Sequence, residues 1–167
     1  MKDSIIFVDI CNTLADVNRE IENLTGCKRP AGLYFHPSVC PNWFLEHIEV
    51  FETCKPIAGS LKGLKRLVEK NDIVYLTARP MQAHMVTVNW LKRNGYPDRP
   101  VYFSDRKAEF AESYLKDHPY DRVAFIDDAP HEILSCIQMG YTVFVHRQDY
   151  NLHFKNVFSW NEEGVIR

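Results

Sequence analysis

The stretch that decides the fold is SIIFVDICNTL, residues 4–14. Its apolar run, SIIFV, shows no alternation with polar residues, which is typical of a strand buried on both faces of a parallel sheet. Asp9 follows the point where this predicted strand ends. Because open parallel sheets bind ligands beyond the carboxyl ends of their strands, we expect Asp9 to lie at a functional edge.

Further β-branched and aromatic runs predict four more buried strands, at residues 72–77, 100–103, 122–126 and 142–145. Helical periodicity lies between them, at residues 60–70, 81–94, 106–116 and 131–139. The repeated order of strand, helix and strand predicts an α/β, Rossmann-like fold. We expect a parallel five-stranded sheet with helices on both faces.

The first interval is too long for a simple loop, because a typical connection from strand to helix has about 2 to 6 residues. We therefore expect residues 1–14 and 58–167 to form the core and residues 15–57 to form a small helical cap inserted after strand 1. The insert contains an amphipathic stretch at 16–24, a loop rich in glycine and proline, and a predicted helix from Pro41 to about Thr53.

Composition narrows the class of protein. The 167 residues are 46% hydrophobic, which suits one domain with a substantial core, and the formal net charge is −2. Such a charge creates no general attraction for polymeric nucleic acid or anionic membranes. The N-terminal MKDSIIFVD lacks the layout of a signal peptide, and no apolar run approaches the length of a membrane span. We expect a cytoplasmic protein with no membrane or polynucleotide partner.

The five cysteines indicate reduced thiols, because their odd number and the lack of a close CxxC pair argue against a disulfide framework. Some of them form a set with two histidines whose spacing fits no zinc finger: Cys27, His36, Cys40, His47 and Cys54. Cys40, His47 and Cys54 recur every seven residues among apolar neighbours. This spacing favours one packed helix face over a metal site.

Chemically useful side chains follow four predicted strands: Asp9; Thr77, Ala78 and Arg79; Lys107; and Asp127 with Asp128. Carboxylates, a hydroxyl and a lysine at one sheet edge suit phosphoryl transfer, in which a carboxylate attacks phosphorus and Mg²⁺ offsets the charge. Acidic residues at strand ends also cap helices. That explanation accounts poorly for all four ends at once.

The order of these segments resembles the haloacid dehalogenase superfamily, with FVDICNTL as its first motif, YLTAR as its second, Lys107 as its third and VAFIDD as its fourth. Within it the chain is most similar to the cytosolic 5′(3′)-deoxyribonucleotidase family. The short insert, the segment PIAGSLKGLKRL, the lysine soon after SDR and the later Asp149-Tyr150-Asn151 carry that likeness.

The resemblance implies roles for individual residues. Asp9 would be the nucleophile and, with the main-chain carbonyl of Cys11 and the carboxylate of Asp128, a Mg²⁺ ligand. Asp127 would act through water or by orienting Lys107. Lys107 would offset the charge of the nucleophile and the phosphoryl group, while Thr77 and the Ala78 amide would bind phosphate. Arg79 follows the threonine as in several nucleotide-processing relatives, although an arginine opening a loop can equally be a surface residue.

Cys11 departs from the pattern, because phosphatases of this superfamily have a second aspartate there that serves as general acid and base. An unperturbed thiol has a pKa near about 8.5, and such assistance is worth about 10²- to 10⁴-fold. Three outcomes stay open: a slow phosphatase, a different hydrolase that uses Asp9 against carbon, or a phosphate-binding protein that has lost catalysis. Alternatively, another group such as His36 supplies the proton.

The insert is rich in aromatic residues: Tyr34, Phe35, Trp43, Phe44 and Phe51. Aromatic faces can enclose a flat base, so Phe35 and Phe44 are candidate base contacts, although core packing also explains such residues. The sequence as a whole predicts a Mg²⁺-dependent phosphohydrolase for a small phosphorylated metabolite, most simply a nucleoside monophosphate. Whether the insert also forms a homodimer stays open.

Overall fold

The computed structural model describes residues 3–40 and 42–162. It contains a six-stranded sheet, and every neighbouring pair of strands in it is parallel. The strands are β1 (Ser4–Val8), β2 (Asp72–Thr77), β3 (Val101–Phe103), β4 (Arg122–Asp127), β5 (Thr142–His146) and β6 (Val157–Phe158), arranged in the order β3-β2-β1-β4-β5-β6. The expected α/β Rossmann-like sheet is confirmed, but the expected number of five strands is wrong. The sixth, β6, has only two residues, too few to show a periodicity.

Seven α-helices connect or flank the strands in the described residues: α1 (Val17–Thr25), α2 (Trp43–Glu46), α3 (Val50–Thr53), α4 (Ser60–Lys70), α5 (His84–Arg93), α6 (Lys107–Asp117) and α7 (Pro130–Gln138). A short 3₁₀ turn, Met81–Ala83, precedes α5. None of the helices in the described part of the chain is long and apolar enough to span a bilayer.

Side chains of β1 alternate between two hydrophobic cores, one on each face of the sheet. Ile6 and Val8 pack in the core that receives α4 and α5, whereas Ile5 and Phe7 pack in the core that receives α6 and α7. Every residue of β1 is buried. This explains the unbroken apolar run, because a central parallel strand has no face left for water.

The two ends of the segment at 15–57 lie next to each other, beside the loop that follows β1. The Asp16 N–H donates to the Lys55 carbonyl at 2.8 Å, and the Ile57 N–H donates to the Leu14 carbonyl at 2.7 Å. The helix predicted from Pro41 to Thr53 is instead two four-residue helices, α2 and α3, separated by a non-helical His47 (φ −128°, ψ 50°). Pro41 itself lies outside the described residues.

A late segment of the chain crosses back over α4. The Trp160 indole N–H donates to the Thr13 carbonyl at 2.8 Å, and a Cβ added at Gly63 would lie 2.4 Å from the Trp160 ring. Gly63 therefore lets the indole approach the backbone of α4. The hydrogen bond from Trp160 therefore fixes the position of the loop that follows β1.

Candidate active site

Three buried carboxylates meet at the carboxyl edge of the two central strands. Asp9 follows β1 and Asp127 ends β4, strands that pair in register through Val8 and Ile126. With Asp128 they form a cluster in which one oxygen of each residue lies within 4.8 Å of the others. Among the residues that the structure describes, no other group of three or more acidic, histidine or cysteine side chains converges in this way, the cysteines and histidines of the insert included.

Lys107 joins two of these carboxylates from the first turn of α6. Its Nζ donates to Asp9 Oδ1 and to Asp127 Oδ2, each at 2.6 Å. Burial alone would lower the pKa of Lys107, but the charges of Asp127 and Asp9 outweigh it and raise that pKa well above its ordinary value. The ammonium group is therefore held charged between the two acids.

One lysine does not balance three acids. Burial raises the pKa of Asp9 to about 6, although the Lys107 charge opposes this. Burial, followed by repulsion from Asp9 and Asp127, raises the pKa of Asp128 well above its usual range. Both shifts show that a full set of negative charges is costly here without a further cation.

The donor set fits a hard divalent cation such as Mg²⁺, which prefers carboxylate, carbonyl and water oxygens. Besides the three carboxylates, the main-chain carbonyl of Cys11 is available, because no hydrogen bond between described residues uses it. The buried excess of acid and the free carbonyl are thus consistent with the expected cofactor.

Asp128 is held in place by residues far away in the sequence. The Thr13 hydroxyl donates to its Oδ1 at 3.0 Å, and the Tyr150 hydroxyl donates to its Oδ2. The Asn151 side-chain amide donates to the Asp128 carbonyl at 2.9 Å. The Tyr-Asn segment noted in the sequence therefore fixes the orientation of this carboxylate.

Asp127 is fixed by the helix that follows it. Its Oδ1 accepts the Ala129 N–H at 2.9 Å, and Pro130 occupies the first turn of α7. A carboxylate at a helix N-terminus is stabilised by the helix dipole, and proline there loses no hydrogen bond. The other oxygen, Oδ2, stays free to hold Lys107.

The residues expected to bind phosphate lie at the end of the neighbouring strand. Thr77 ends β2 and is fully buried, and its Oγ1 accepts the Arg79 N–H at 3.3 Å. Ala78 lines the same cavity as Asp9 and Lys107. The sheet thus brings Thr77, Ala78 and Lys107 to the edge that holds the acids.

Arg79 is buried, with 4% of its surface exposed, so the alternative that it is a surface residue is wrong. Its Nε donates to Cys11 Sγ at 3.2 Å and its Nη1 donates to Thr87 Oγ1 at 3.1 Å. The guanidinium carbon also lies 4.4 Å from the centre of the Phe51 ring. Three elements therefore hold this side chain rigidly beside Cys11.

Cys11 is a poor replacement for an acidic residue in this setting. Burial raises the pKa of its thiol, and the nearby Arg79 charge only partly opposes the shift. His36 does not compensate, because its Nδ1 accepts the Ser38 N–H at 3.1 Å and its Nε2 lies 3.0 Å from the Cys27 carbonyl. Both ring nitrogens of His36 are engaged, which leaves neither to protonate a ligand.

A cavity of about 150 Å³ separates the acids from the insert. Phe35 and Phe44 both line it, as do Tyr34 and Phe51. Phe35 is 74% exposed, whereas Phe44 stacks on Phe51 with 5.3 Å between ring centres. Trp43 is buried in the core instead and does not line the cavity.

Sequence reasoning missed Glu132 as a site residue. Glu132 is buried on α7, accepts the Lys107 N–H at 3.3 Å and lines the cavity. Burial raises its pKa to about 7, although the charge of Lys107 opposes this. A usable signal existed, since Glu132 lies in the first turn of the helix that follows Asp127 and Asp128, and this turn begins at the same edge of the sheet.

Solved structures share this fold at low sequence identity. CbbY from Rhodobacter sphaeroides, solved with phosphate, has a TM-score of 0.61 at 15% identity, covering 98% of this chain and 97% of that chain. A haloacid dehalogenase family enzyme from Bacteroides thetaiotaomicron, bt-2542, solved with magnesium and inorganic phosphate, has a TM-score of 0.55 at 14% identity, covering 88% and 95%. The fold is therefore that of haloacid dehalogenase-like proteins.

Within that class, residues 40–167 match the family model of "5' nucleotidase, deoxy (Pyrimidine), cytosolic type C protein", and the chain belongs to this family. A Bacillus cereus protein described as a "Putative nucleotidase" is 28% identical over 122 residues. The match covers 70% of this chain and 62% of that relative, so it spans less than two thirds of the relative's length.

Proposed function

We propose that this protein is a Mg²⁺-dependent phosphohydrolase that acts on a small phosphomonoester, most simply a nucleoside or deoxynucleoside monophosphate. The observation that carries the proposal is the position of Lys107 between Asp9 and Asp127, with Asp128 in the same cluster. Membership of the nucleotidase family and the magnesium and phosphate named for bt-2542 support it. The family's description as cytosolic also supports the expected cytoplasmic location.

The proposed Mg²⁺ ligands are Asp9, Asp128 and the carbonyl of Cys11, and Asp127 orients Lys107. When bound, Mg²⁺ would neutralise phosphate oxygens and the charge of the acids. The carboxylate of Asp9 attacks phosphorus, the bond from phosphorus to the ester oxygen breaks, and that oxygen leaves with the electron pair. Water then attacks the aspartyl phosphate, which releases inorganic phosphate and regenerates Asp9.

Neighbouring residues assist by position. Thr77 and the Ala78 amide, at the end of β2, bind phosphate oxygens, and Lys107 offsets the charge that gathers as Asp9 attacks. The segment at 15–57 acts as a cap over the cavity, in which Phe35 and Phe44 contact the organic part of the substrate. Burial of the acids beneath the cap excludes bulk water and strengthens these charge interactions.

One observation favours a second function, a phosphate- or nucleotide-binding protein with weakened catalysis. Cys11 stands where a general acid is needed, and burial keeps its thiol protonated. A thiol with a raised pKa gives its proton to a leaving alkoxide less readily than a carboxylic acid does, and while it is protonated it cannot activate water as a base. Metal and phosphate binding do not depend on that step, so they would survive its loss.

The test is a phosphomonoester panel with and without Mg²⁺, run on the wild type and on Asp9→Asn. We expect Mg²⁺-dependent release of phosphate from nucleoside monophosphates, and loss of that turnover in Asp9→Asn, whose amide cannot form an acyl phosphate. Asp98→Asn is the matched control, since Asp98 is exposed and remote from the cluster. Wild-type activity in Asp9→Asn would refute the assignment of the nucleophile.

A further inference from the structure

Tyr34 of the insert carries a hydroxyl group that no other part of the described chain uses. The side chain lines the cavity of about 150 Å³ together with Asp9, Lys107 and Asp128. Within the described residues its hydroxyl makes no hydrogen bond. The fully buried polar atoms that lack a partner all belong to other residues, so the Tyr34 oxygen keeps accessible surface. A donor of this kind in the wall of a cavity is available to a ligand.

The Tyr34 hydroxyl lies in the electrostatic field of the acid cluster. Burial, followed by the charges of Asp128, Asp127 and Asp9, raises the pKa of Tyr34 well above its ordinary value. The group is therefore uncharged, and its O–H bond can rotate toward the negative charge. Within the described chain none of the three carboxylates accepts this hydrogen, which leaves space for a substrate group between the hydroxyl and the acids.

The ring of Tyr34 is held in place by its neighbours. It contacts Tyr150 edge to face with 5.3 Å between ring centres, and His131 with 5.4 Å between ring centres. The backbone just before it is fixed as well, since the Gly32 N–H donates to Asp149 Oδ2 at 2.9 Å. Because the side chain is already ordered, little entropy is lost when its hydroxyl binds a substrate.

The position of Tyr34 relative to the acids indicates which substrate atom its hydroxyl meets. In the proposed function Asp9 attacks phosphorus in line, so the ester oxygen that leaves lies on the far side of phosphorus from Asp9. Thr77, Ala78 and Lys107 hold the other oxygens at the edge of the sheet. Tyr34 comes from the insert, which lines the cavity from the opposite side. The leaving oxygen is therefore the atom that faces the hydroxyl.

We propose that the Tyr34 hydroxyl donates a hydrogen bond to the ester oxygen that leaves, and that it thereby supplies part of the assistance that Cys11 cannot give. This inference rests on the proposed phosphohydrolase function. When the bond from phosphorus to the ester oxygen breaks, the electron pair stays on that oxygen, and the hydrogen bond from Tyr34 stabilises the resulting charge. The oxygen takes its proton from solvent water, and Tyr34 stays protonated throughout.

The test is Tyr34→Phe, which removes the hydroxyl and keeps the ring, measured with two substrates at saturating Mg²⁺. One substrate is the alkyl phosphate that the wild type hydrolyses fastest, a nucleoside monophosphate in the proposed function. The other is p-nitrophenyl phosphate, whose nitrophenolate spreads its charge over the ring and needs little help to leave. The quantity compared is kcat/KM, because it reports stabilisation of the transition state relative to free protein and substrate.

The two substrates should respond differently to Tyr34→Phe. We expect kcat/KM for the alkyl phosphate to fall about tenfold or more, as the loss of a hydrogen bond to a charged group does, and kcat/KM for p-nitrophenyl phosphate to fall less than about threefold. The melting temperature should stay at the wild-type value, since the aromatic contacts of the ring remain. Tyr102→Phe is the matched control and should change neither kcat/KM, because Tyr102 is an exposed tyrosine of β3 that does not line the cavity.

The outcomes separate this inference from the proposed function. Wild-type protein that hydrolyses no alkyl phosphate refutes the proposed function itself. Equal losses for both substrates in Tyr34→Phe would show that the hydroxyl binds a phosphoryl oxygen or supports the fold, which refutes the inference. Unchanged kcat/KM for both substrates refutes it as well.

Discussion

At the scale of single residues, the acid cluster contains more carboxylates than positively charged partners. Lys107 contacts Asp9 and Asp127 but not Asp128, whose nearest described polar partners are the hydroxyls of Thr13 and Tyr150. The hydroxyls orient Asp128 without neutralising it. The negative charge of Asp128 is therefore available to be balanced by a bound cation.

The first prediction concerns Cys11. Cys11→Asp supplies the missing general acid and base, so phosphatase turnover should rise by about 10²- to 10⁴-fold. Turnover is measured at saturating Mg²⁺ against Cys11→Ser. A robust wild-type rate that serine sustains and aspartate does not improve would contradict the idea that Cys11 limits catalysis.

The second prediction concerns Glu132 and pH. Its pKa in the folded protein, about 7, exceeds the ordinary value of 4.5, so the folded state binds the proton more tightly than the unfolded chain. The free energy of unfolding contributed by this group is therefore fully present below pH 4.5 and is lost as pH rises to about 7. Glu132→Gln does not titrate and should escape this loss.

The measurement is urea unfolding of both proteins in chelator at pH 5 and pH 8. We expect Glu132→Gln to gain stability relative to the wild type on going to pH 8, by about 1 to 3 kcal/mol. Glu109→Gln is the control, since Glu109 is exposed on α6. A difference between Glu132→Gln and the wild type that does not change with pH would contradict the shifted pKa.

At the scale of elements, the sheet was predictable and the insert was not. Four of the five longer strands, β1, β2, β4 and β5, have apolar runs with buried residues, and their positions follow from the sequence with small errors at the ends. The expectation of a buried strand at 100–103 is wrong in that β3 has no fully buried residue, because it lies at the edge of the sheet. The division of the predicted helix at 41–53 into α2 and α3 depends on tertiary packing. Helices of four residues have no stability of their own, and burial of Trp43 and Phe51 in the core decides their geometry.

The site likewise contains some contacts that the sequence predicts and others that it does not predict. Asp9, Asp127 and Lys107 could be placed together because each lies at or just beyond a strand end, and strand order fixes such neighbours. The contacts of Arg79 with Cys11 and Thr87 depend on the rotamer of a long side chain, which no periodicity encodes. The side-chain atoms of Asn18 and Glu132 that lack hydrogen-bond partners can be recognised only in the folded structure.

The third prediction concerns the aromatic residues of the insert. Phe35→Ala should weaken nucleotide binding more than binding of inorganic phosphate, because stacking on a base is worth about 1 to 3 kcal/mol. Phe35 is largely exposed, so its loss should leave the melting temperature nearly unchanged. Phe44→Ala should show the same ligand difference together with a lower melting temperature, since Phe44 also packs on Phe51.

Binding of both ligands is measured by calorimetry in Mg²⁺. Met85→Ala, which removes an exposed side chain of α5 outside the cavity, is the control for loss of apolar surface. Equal losses for nucleotide and phosphate would indicate a disrupted insert rather than a lost base contact.

At the scale of the whole molecule, the insert is tied to a distant loop. Arg29 donates to Asp149 Oδ1 at 2.6 Å and lies 4.9 Å from the ring centre of Tyr150, while the Gly32 N–H donates to Asp149 Oδ2 at 2.9 Å. Tyr150 in turn donates to Asp128. The insert, the loop after β5 and the acid cluster are therefore connected by direct contacts.

The fourth prediction concerns Mg²⁺ and global stability. Since the ion would bind the folded cluster and not the dispersed acids of the unfolded chain, a hundredfold excess over Kd adds about 2.7 kcal/mol. For a domain of this size the melting temperature should rise by about 5 to 10 °C. Asp128→Asn should lose most of this rise and Asp98→Asn none of it. An unchanged melting temperature in the wild type, with no heat of Mg²⁺ binding, would contradict a metal site.

The central place of β1 has a consequence for synthesis of the protein. β1 is made before its two neighbours in the sheet, β2 and β4, which are separated from it by long stretches of chain, and the Tyr150 that holds Asp128 follows later still. At about 5 to 20 residues per second, the ribosome exposes β1 for several seconds before either edge can pair. The acids meet only after β4 has emerged and paired with β1. A metal ion that binds the acid cluster would therefore stabilise the folded protein without guiding the early stages of its folding.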